Sequence, residues 1–187
     1  YTGEGAVALL VGNLFVERDH MLGFRYLQEI LDAVPRTLVG VNPNVPEAEK
    51  AENWDALKGY FRQCRVYVNA TVEAFEDGYN LGMLEAMATG MPVVCLANAT
   101  SPIVDGENGY ISENTGYLRE RVLALLEDRD LAKKLGDRAR KTVAEQFSVG
   151  AFVDTWQEIV TASMDRFKNK KRVDMAGAGQ AVRLRRH

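Results

Sequence analysis

The chain has 187 residues, of which 47% are apolar and 26% are charged, and its formal net charge is −3. This length and composition are typical of one globular domain that can bury its own core. No apolar run approaches the roughly 18–20 residues of a membrane span. The chain shows no secretory pattern at its start and begins at Tyr1, which fits a fragment of a longer protein.

The charge is distributed unevenly. Residues 168–187 carry seven Lys or Arg against one acid, so this end has a charge of +6 and the remainder −9. An acidic body argues against nucleic acid as a partner. We expect a domain at 1–168 and a basic, mobile tail at 169–187. Contact of the tail with an anionic membrane, at its inner face, is the alternative.

The elements alternate along the chain. Apolar runs predict strands at 6–11, 36–41, 65–70, 92–97 and 110–111, and helical spacing predicts helices at about 21–33, 54–63, 81–89, 115–127, 130–146 and 148–167. This order predicts an α/β fold, a doubly wound and mostly parallel sheet followed by C-terminal helices. We expect Trp54 and Trp156 to pack against the core or a helix.

Cys64 and Cys95 lie in apolar surroundings, which predicts buried free thiols. Metal-ligand spacings and a disulfide framework are absent from the sequence, and a reducing cytoplasm fits. A Gly-x-Gly-x-x-Gly turn and a Walker lysine loop are also missing, so a dinucleotide or NTPase site has little support.

The polar candidates follow the carboxyl ends of the predicted strands, where ligands bind on doubly wound sheets. They lie in the loops at Gly12, at Gly40, at 71–80 and at 98–101. In the third of these loops, acids precede a helix N-terminus. Free N–H groups there attract phosphate oxygens, and carboxylates accept hydrogen bonds from hydroxyls. The combination favours a ligand with both phosphates and sugars.

The stretch from 77 to 109 has an ordered series of short motifs. They are Asp77, then seven residues and Glu85, Ala86-Met87-Ala88, Gly90, Pro92-Val93-Val94 and Asp105-Gly106-Glu107-Asn108-Gly109. This series resembles the donor-site signature of family-4 (glycosyl transferases group 1) retaining glycosyltransferases of the GT-B fold, with Asp77 in place of a Glu. The resemblance covers the second of the two domains of such enzymes.

The resemblance implies roles for these residues. Glu85 would hold the ribose hydroxyls, and Asp77 would contact the transferred sugar near the reacting carbon, with Glu76 as the neighbouring alternative. The diphosphate or sugar would be held by the backbone N–H groups of Gly78, Tyr79, Asn80 and Leu81. Position 80 is often Gly in the family, and Asn tolerates a positive φ better than most residues.

The family also neutralises the leaving diphosphate with an Arg and a Lys after the first strand. Here Gly12 is followed by Asn13 in the Arg position, and Arg18 either takes the Lys role or is a solvated charge of the loop. Donor binding at Gly12, Asn13 and Arg18 is therefore expected from the resemblance. The linker between Gly40 and Trp54 is shorter than in the family, so the sequence does not identify the residues that would contact the nucleotide base.

The implied function is donor binding in a metal-independent retaining glycosyltransferase of carbohydrate biosynthesis. The donor, a UDP- or GDP-sugar or a relative, is a substrate, and no cofactor is implied. The acceptor would bind a missing N-terminal domain, so this chain alone is expected to be inactive. Two alternatives stay open: a non-catalytic nucleotide- or sugar-binding module, and an assembly domain that binds partners through its charges.

Overall fold

The computed structural model describes residues 1–75 and 80–183, with side chains up to residue 168. The strands are β1 (Gly5–Val11), β2 (Arg36–Val39), β3 (Cys64–Asn69), β4 (Val93–Leu96) and β5 (Tyr110–Ser112). The helices are α1 (Asp19–Leu22), α2 (Phe24–Ile30), α3 (Trp54–Gln63), α4 (Leu81–Thr89), α5 (Thr115–Glu127), α6 (Arg129–Gln146) and α7 (Val149–Arg183). A 3₁₀ turn covers Glu73–Phe75.

The five strands form one parallel sheet in the order β2-β1-β3-β4-β5. The predicted α/β fold with a doubly wound parallel sheet is therefore confirmed. The chain moves outward from β1 to β2, and then crosses back to β3 on the other side of β1. This reversal defines a topological switch point between β1 and β3, with the loops after both strands at its carboxyl edge.

Two apolar clusters cover the two faces of the sheet, because side chains alternate along each strand. On β3, Val66 and Val68 belong to the cluster that includes side chains of α2 and α5. Tyr67, between them, belongs to the other cluster, with side chains of α3 and α4. Cys64 and Cys95 are buried free thiols, as predicted.

The helix predicted at 21–33 is wrong, since the chain forms two short helices there. Gly23 separates α1 from α2 with φ of +62°. A Cβ at this position would lie 2.1 Å from the carbonyl oxygen of Ala70. The bend therefore brings the backbone onto the end of β3, an approach that only glycine permits.

The C-terminal helix is longer than predicted. It continues past the expected end near Phe167 to Arg183. The chain divides into two compact units, Tyr1–Glu145 and a second that begins at Gln146. The domain boundary expected at residue 168 lies inside α7. Mobility of the basic tail stays a prediction. Neither Trp54 nor Trp156 is a core residue, since each is 53% exposed, and the Trp156 ring packs against Phe152 of the same helix with centroids 6.1 Å apart.

The short linker before α3 retains one contact with the sheet. Glu49 forms an isolated parallel bridge with Val39, and its backbone bonds Leu38 and Gly40. The Tyr60 hydroxyl donates to the Glu49 carboxylate at 2.6 Å, which ties this bridge to α3. The linker is thus anchored beside β2, outside the edge of the sheet.

Candidate functional site

The central loop lies between β3 and α4 at the switch point. Glu76, Asp77, Gly78 and Tyr79 lie outside the described residues, so the roles expected of them stay predictions. The loop is described up to the 3₁₀ turn that ends at Phe75 and again from Asn80.

Asn80 caps α4 with its side chain. Its Oδ1 accepts the N–H of Met83 at 2.8 Å, which satisfies one of the donors that the first turn of a helix leaves without an intrahelical acceptor. The N–H groups of Leu81 and Gly82 have no acceptor within the helix. Asn80 has φ of −67°, so the positive φ considered for this position is not needed. Asn80, in place of the Gly that is common in the family, thus caps the helix and leaves the N–H groups of Leu81 and Gly82 without a partner inside the helix.

Asn69 connects this cap to the sheet. Its Oδ1 accepts the Thr71 hydroxyl at 3.0 Å and, at a longer 3.5 Å, the side-chain amide of Asn80. A small pocket lies beside these groups, lined also by Met83 and by the loop after β4. Asn69 and Thr71 were missed in the sequence. The available signal was a polar residue that ends an otherwise apolar strand next to the central loop.

The loop after β4 forms the opposite wall of the pocket. Asn98 Oδ1 accepts both the N–H and the hydroxyl of Thr100, at 2.9 and 2.8 Å. The Ser101 hydroxyl lies 3.6 Å from the sulfur of Cys95. Burial raises the pKa of the Cys95 thiol to about 12, so this sulfur is a neutral wall of the pocket and not a nucleophile.

Glu85 lies on α4, two residues beyond Met83. Its side chain is half-buried, and burial raises the pKa of the carboxyl above its usual value. Among residues 1–75 and 80–168, no side chain forms an ion pair or hydrogen bond with it. A desolvated carboxylate without a protein partner can accept two hydrogen bonds from a ligand diol.

The loop after β1 is hydrogen-bonded to the loop after β2. Asn13 Oδ1 accepts the N–H of Val41 at 2.7 Å. The buried Asn42 accepts the N–H of Phe15 and donates to the carbonyl of Gly12, both at 2.9 Å. The side-chain oxygen of Asn13 is therefore used inside the protein. Asn42 is a structural residue that the sequence reasoning missed, since its only sequence signal was an Asn in a Pro-rich loop.

Leu14 has a strained backbone within the same loop. Its φ is +59°, a left-handed conformation that is uncommon for a non-glycine residue. The N–H of Leu14 bonds to the carbonyl of Val41 at 2.9 Å, which holds this conformation. The side chain of Leu14 is 38% exposed, in the loop that follows the carboxyl end of β1.

Arg18 and Arg25 differ in their partners. The Arg25 guanidinium pairs with Asp19 at 2.7 Å and lies over the Tyr26 ring. The half-buried Arg18 side chain has no ion pair or hydrogen bond with the residues described. Within the described residues Arg18 is therefore a cation without a partner, and the role expected of it toward the diphosphate stays a prediction.

The first loop and the central loop are neighbours at the switch point. The N–H of Val72 donates to the carbonyl of Met21 at 2.8 Å. The rings of His20 and Phe75 meet edge to face, with centroids 5.4 Å apart. These contacts tie α1, which begins next to Arg18, to the segment that enters the central loop.

The last part of the motif series has an internal role. Asp105 accepts the N–H of Ile111 at 3.0 Å and the hydroxyl of Tyr117 at 2.9 Å. The buried Asn108 accepts from Val104 and donates to Thr142 of α6. This turn therefore closes the chain into β5 and docks it on α6, with its polar groups directed at protein partners.

Two features are absent from the described part of the chain. No cluster of three or more His, Cys, Asp or Glu residues suited to a metal ion occurs there. No helix within the same part has the length and apolar character needed to cross a membrane.

The comparisons with known proteins agree with this geometry. Residues 7–128 match the family model for glycosyl transferases group 1. The chain is 27% identical over 157 residues to the poly(ribitol-phosphate) alpha-N-acetylglucosaminyltransferase of Staphylococcus aureus, which covers 78% of this chain and 30% of that protein. The curated relatives that it matches are covered over 22% to 30% of their length.

Solved structures share the fold at low identity. Anabaena Alr3699/HepE, solved with UDP, has a TM-score of 0.69 at 14% identity over 85% of this chain and 49% of that one, and a second HepE structure contains UDP-glucose. The C-terminal domain of LpcC, a group 1 family protein from Francisella tularensis, has a TM-score of 0.59 at 16% identity, over 76% of this chain and 87% of that one. The chain belongs to the glycosyl transferases group 1 family and corresponds to the C-terminal half of its GT-B members.

Proposed function

We propose that this chain is the nucleotide-sugar-binding domain of a retaining glycosyltransferase, in which Glu85 holds the ribose of the donor. The observation that carries the proposal is the half-buried Glu85 carboxylate, which has no partner among the described residues and lies on the helix at the switch point. The UDP and UDP-glucose in the structures of HepE support a uridine nucleotide as the first ligand to test.

The diphosphate would lie at the N-terminus of α4. The N–H groups of Leu81 and Gly82 are the donors left beside the Asn80 cap, and the helix dipole favours negative charge there. Arg18 would supply the positive charge, since its guanidinium is not paired within the described part of the chain. Gly12 and Asn13 would contribute through the backbone of the first loop.

Asp77 would contact the transferred sugar, with Gly78 and Tyr79 beside it. In the proposed reaction the bond between the anomeric carbon and the diphosphate oxygen breaks first. The electron pair leaves with the diphosphate, where Arg18 and the helix N–H groups stabilise the charge. An acceptor hydroxyl then adds to the carbon on the same face and gives its proton to the diphosphate oxygen that has left, and addition on this face retains the configuration. No metal is needed, because these donors neutralise the leaving group.

The binding proposal is tested by titration calorimetry of this chain with UDP, GDP, ADP and UDP-glucose. We expect one nucleotide to bind with a dissociation constant of about 1 mM, since half of a cleft supplies about −4 kcal/mol. Glu85→Ala should weaken this binding at least about tenfold. Glu29→Ala, which removes an exposed glutamate from α2, should not change it. Equal affinities in all three proteins would refute the role of Glu85.

The catalytic proposal concerns the whole protein. The acceptor would bind an N-terminal domain that this chain lacks, so we expect no transfer by residues 1–187 alone. In the full-length protein Asp77→Ala should abolish transfer but leave nucleotide binding within about threefold. Transfer by the isolated chain above trace rates would contradict the need for a second domain.

A non-catalytic nucleotide-binding module is the second candidate. The bond from the N–H of Val41 to Asn13 favours it, because a neutral side chain engaged in the protein replaces the family's arginine. This candidate predicts that the full-length protein binds the nucleotide sugar and that neither it nor Asp77→Ala transfers the sugar. Measured transfer by the wild type would exclude it.

The location of the protein is a further part of the proposal. We place it in the cytoplasm, with the basic tail of residues 169–187 in contact with anionic lipid at the inner face of the membrane. Sedimentation with vesicles of anionic lipid, compared with neutral vesicles and with a chain ended at residue 168, tests this contact. Equal sedimentation with and without the tail would remove it.

A further inference from the structure

The inference concerns β3, which lies in the middle of the sheet between β1 and β4. Central strands of parallel sheets are usually apolar on both faces. On one face β3 follows this rule, with Val66 and Val68 in the cluster shared with α2 and α5. Tyr67 and Asn69 alternate with these valines and so point to the opposite face, where α4 lies. The polar side chains of Tyr67 and Asn69 therefore lie on the side of the sheet that α4 covers.

Tyr67 reaches the first turn of α4. The residue is 1% exposed, and its ring lies 6.1 Å from that of Phe61. A Cβ built on Gly82 would lie 2.6 Å from the Tyr67 hydroxyl oxygen and 3.4 Å from ring atom Cζ. The closest conflict therefore involves the hydroxyl, and the ring carbon is at the border of ordinary contact. Gly82 lets the helix backbone lie directly on the tyrosine.

Asn69 provides the second contact between β3 and this turn. Its Oδ1 lies 3.5 Å from Nδ2 of Asn80, the residue that caps the helix, and accepts the Thr71 hydroxyl as well. The same Asn80 side chain bonds the N–H of Met83 at 2.8 Å. The end of the strand, the helix cap and the third residue of the helix are therefore joined in one chain of hydrogen bonds.

We propose that Tyr67 and Asn69 are positioning residues that seat the first turn of α4 on β3. We call the contacts of Tyr67 and Asn69 with this turn the seat. They determine where the Leu81 and Gly82 N–H groups, and Glu85 one turn further on, lie relative to the carboxyl edge of the sheet. The seat also makes glycine at position 82 a requirement for ligand binding. The inference rests on the proposed function, since it assigns the seat to the nucleotide site.

The experiment is a double-mutant cycle between positions 67 and 82, with UDP as the probe and titration calorimetry as the measurement. Gly82→Ala should weaken UDP binding about fivefold or more, because the added methyl group and the hydroxyl cannot both keep their places. In the Tyr67→Phe background the same Gly82→Ala change should have a much smaller effect, because the conflicting oxygen is absent. Gly59→Ala, in the interior of α3 with no atom within 4 Å of the added Cβ, is the matched control and should leave UDP binding unchanged.

The outcomes separate this inference from the proposed function. An equal loss from Gly82→Ala in both backgrounds, or no loss in either, would overturn the seat while the effect of Glu85→Ala could still support the nucleotide site. No binding of UDP to the wild type would overturn both. If Gly82→Ala does not fold, Asn69→Ala decides, because its half-exposed side chain can be removed without opening the core. We expect that variant to bind UDP about threefold to tenfold more weakly, with an unfolding midpoint close to wild type, and unchanged affinity would overturn the seat.

Discussion

The motif series that led to the family has two halves with different physical roles. From Asn80 to Glu85, the chain presents helix N–H groups and a carboxylate without protein partners among the described residues. From Gly90 to Gly109, the motif residues contact other parts of the fold, as the bonds of Asp105 and Asn108 illustrate. We therefore propose that one sequence pattern contains a binding half, Asn80 to Glu85, and a folding half, Gly90 to Gly109. Substitutions should separate them, since the first half should affect ligand affinity and the second half stability.

The largest effect is expected in the folding half, where α4 ends against α6. A Cβ at Gly136 would lie 1.8 Å from the carbonyl oxygen of Gly90, a backbone atom that cannot move aside. Gly136→Ala should lower the free energy of unfolding by about 1–3 kcal/mol or more. Gly59→Ala, also within a helix but facing open space, should raise it by about 0.5–1 kcal/mol. Urea denaturation of both variants gives the comparison, and equal changes would contradict it.

Asn108→Ala should produce the next largest effect. The buried side chain bonds the N–H of Val104 at 2.7 Å, the carbonyl of Pro102 at 3.0 Å and the hydroxyl of Thr142 at 3.0 Å. Removing it leaves buried polar groups without partners and should cost about 2 kcal/mol of stability. Thr142→Val removes the bond from Asn108 and the bond of its own hydroxyl to the Arg138 carbonyl, but it leaves the other two bonds of Asn108 in place and should cost less. Both variants should bind UDP as the wild type does, and weaker binding by folded Asn108→Ala would place this turn in the binding half.

Two helix caps give a matched test of the boundary between the halves. Asn80 and Asn114 each accept the N–H three residues ahead, at 2.8 and 3.0 Å, on α4 and α5. Changing either to Ala should lower the free energy of unfolding by about 1 kcal/mol. Only Asn80→Ala should also weaken UDP binding, because its cap holds the turn that carries the N–H groups of Leu81 and Gly82. A similar loss of affinity in both variants would mean that stability alone controls binding.

The smallest effect concerns the pH dependence of Glu85. Burial raises the pKa of its carboxyl in the folded protein, so the folded state binds the proton more strongly than the unfolded state. Stability should therefore fall as the pH rises from the usual glutamate pKa through the raised one, and then remain constant. Glu85→Gln cannot ionise, so its stability should match that of the wild type at low pH and exceed it at pH 7.

Thermal unfolding of both proteins between pH 4 and 7 measures this difference. A gap that widens toward low pH would have the wrong sign and would show that Glu85 has a stabilising partner. UDP binding at pH 7 should be weaker in Glu85→Gln, since an amide cannot accept both ribose hydroxyls.

Local signals in the sequence were sufficient for several helices. The predicted bounds of α3, α4 and α5 agree with the structure. Asn53, Asn80 and Asn114 precede these helices and cap them, which is information carried within a few residues.

The features that sequence reasoning missed depend on distant contacts. The break at Gly23 exists because the Ala70 carbonyl lies against it, and these residues are far apart in the sequence. The sequence did not reveal that the Asn13 oxygen accepts from Val41 of the next loop, and the ligand contact expected of Asn13 stays a prediction. For α7, the change to a Lys- and Gly-rich composition suggested an end that the backbone does not have. A residue type indicates which bonds are possible, and the fold decides which partner is close enough.

The two buried cysteines have a practical consequence for labelling. Burial raises the pKa of Cys64 to about 11 and that of Cys95 to about 12, so at neutral pH both remain thiols that react slowly with maleimides. A single cysteine introduced at an exposed position, such as Val41 at the carboxyl edge, would react almost alone. A fluorophore attached there could report nucleotide binding without removal of either native cysteine.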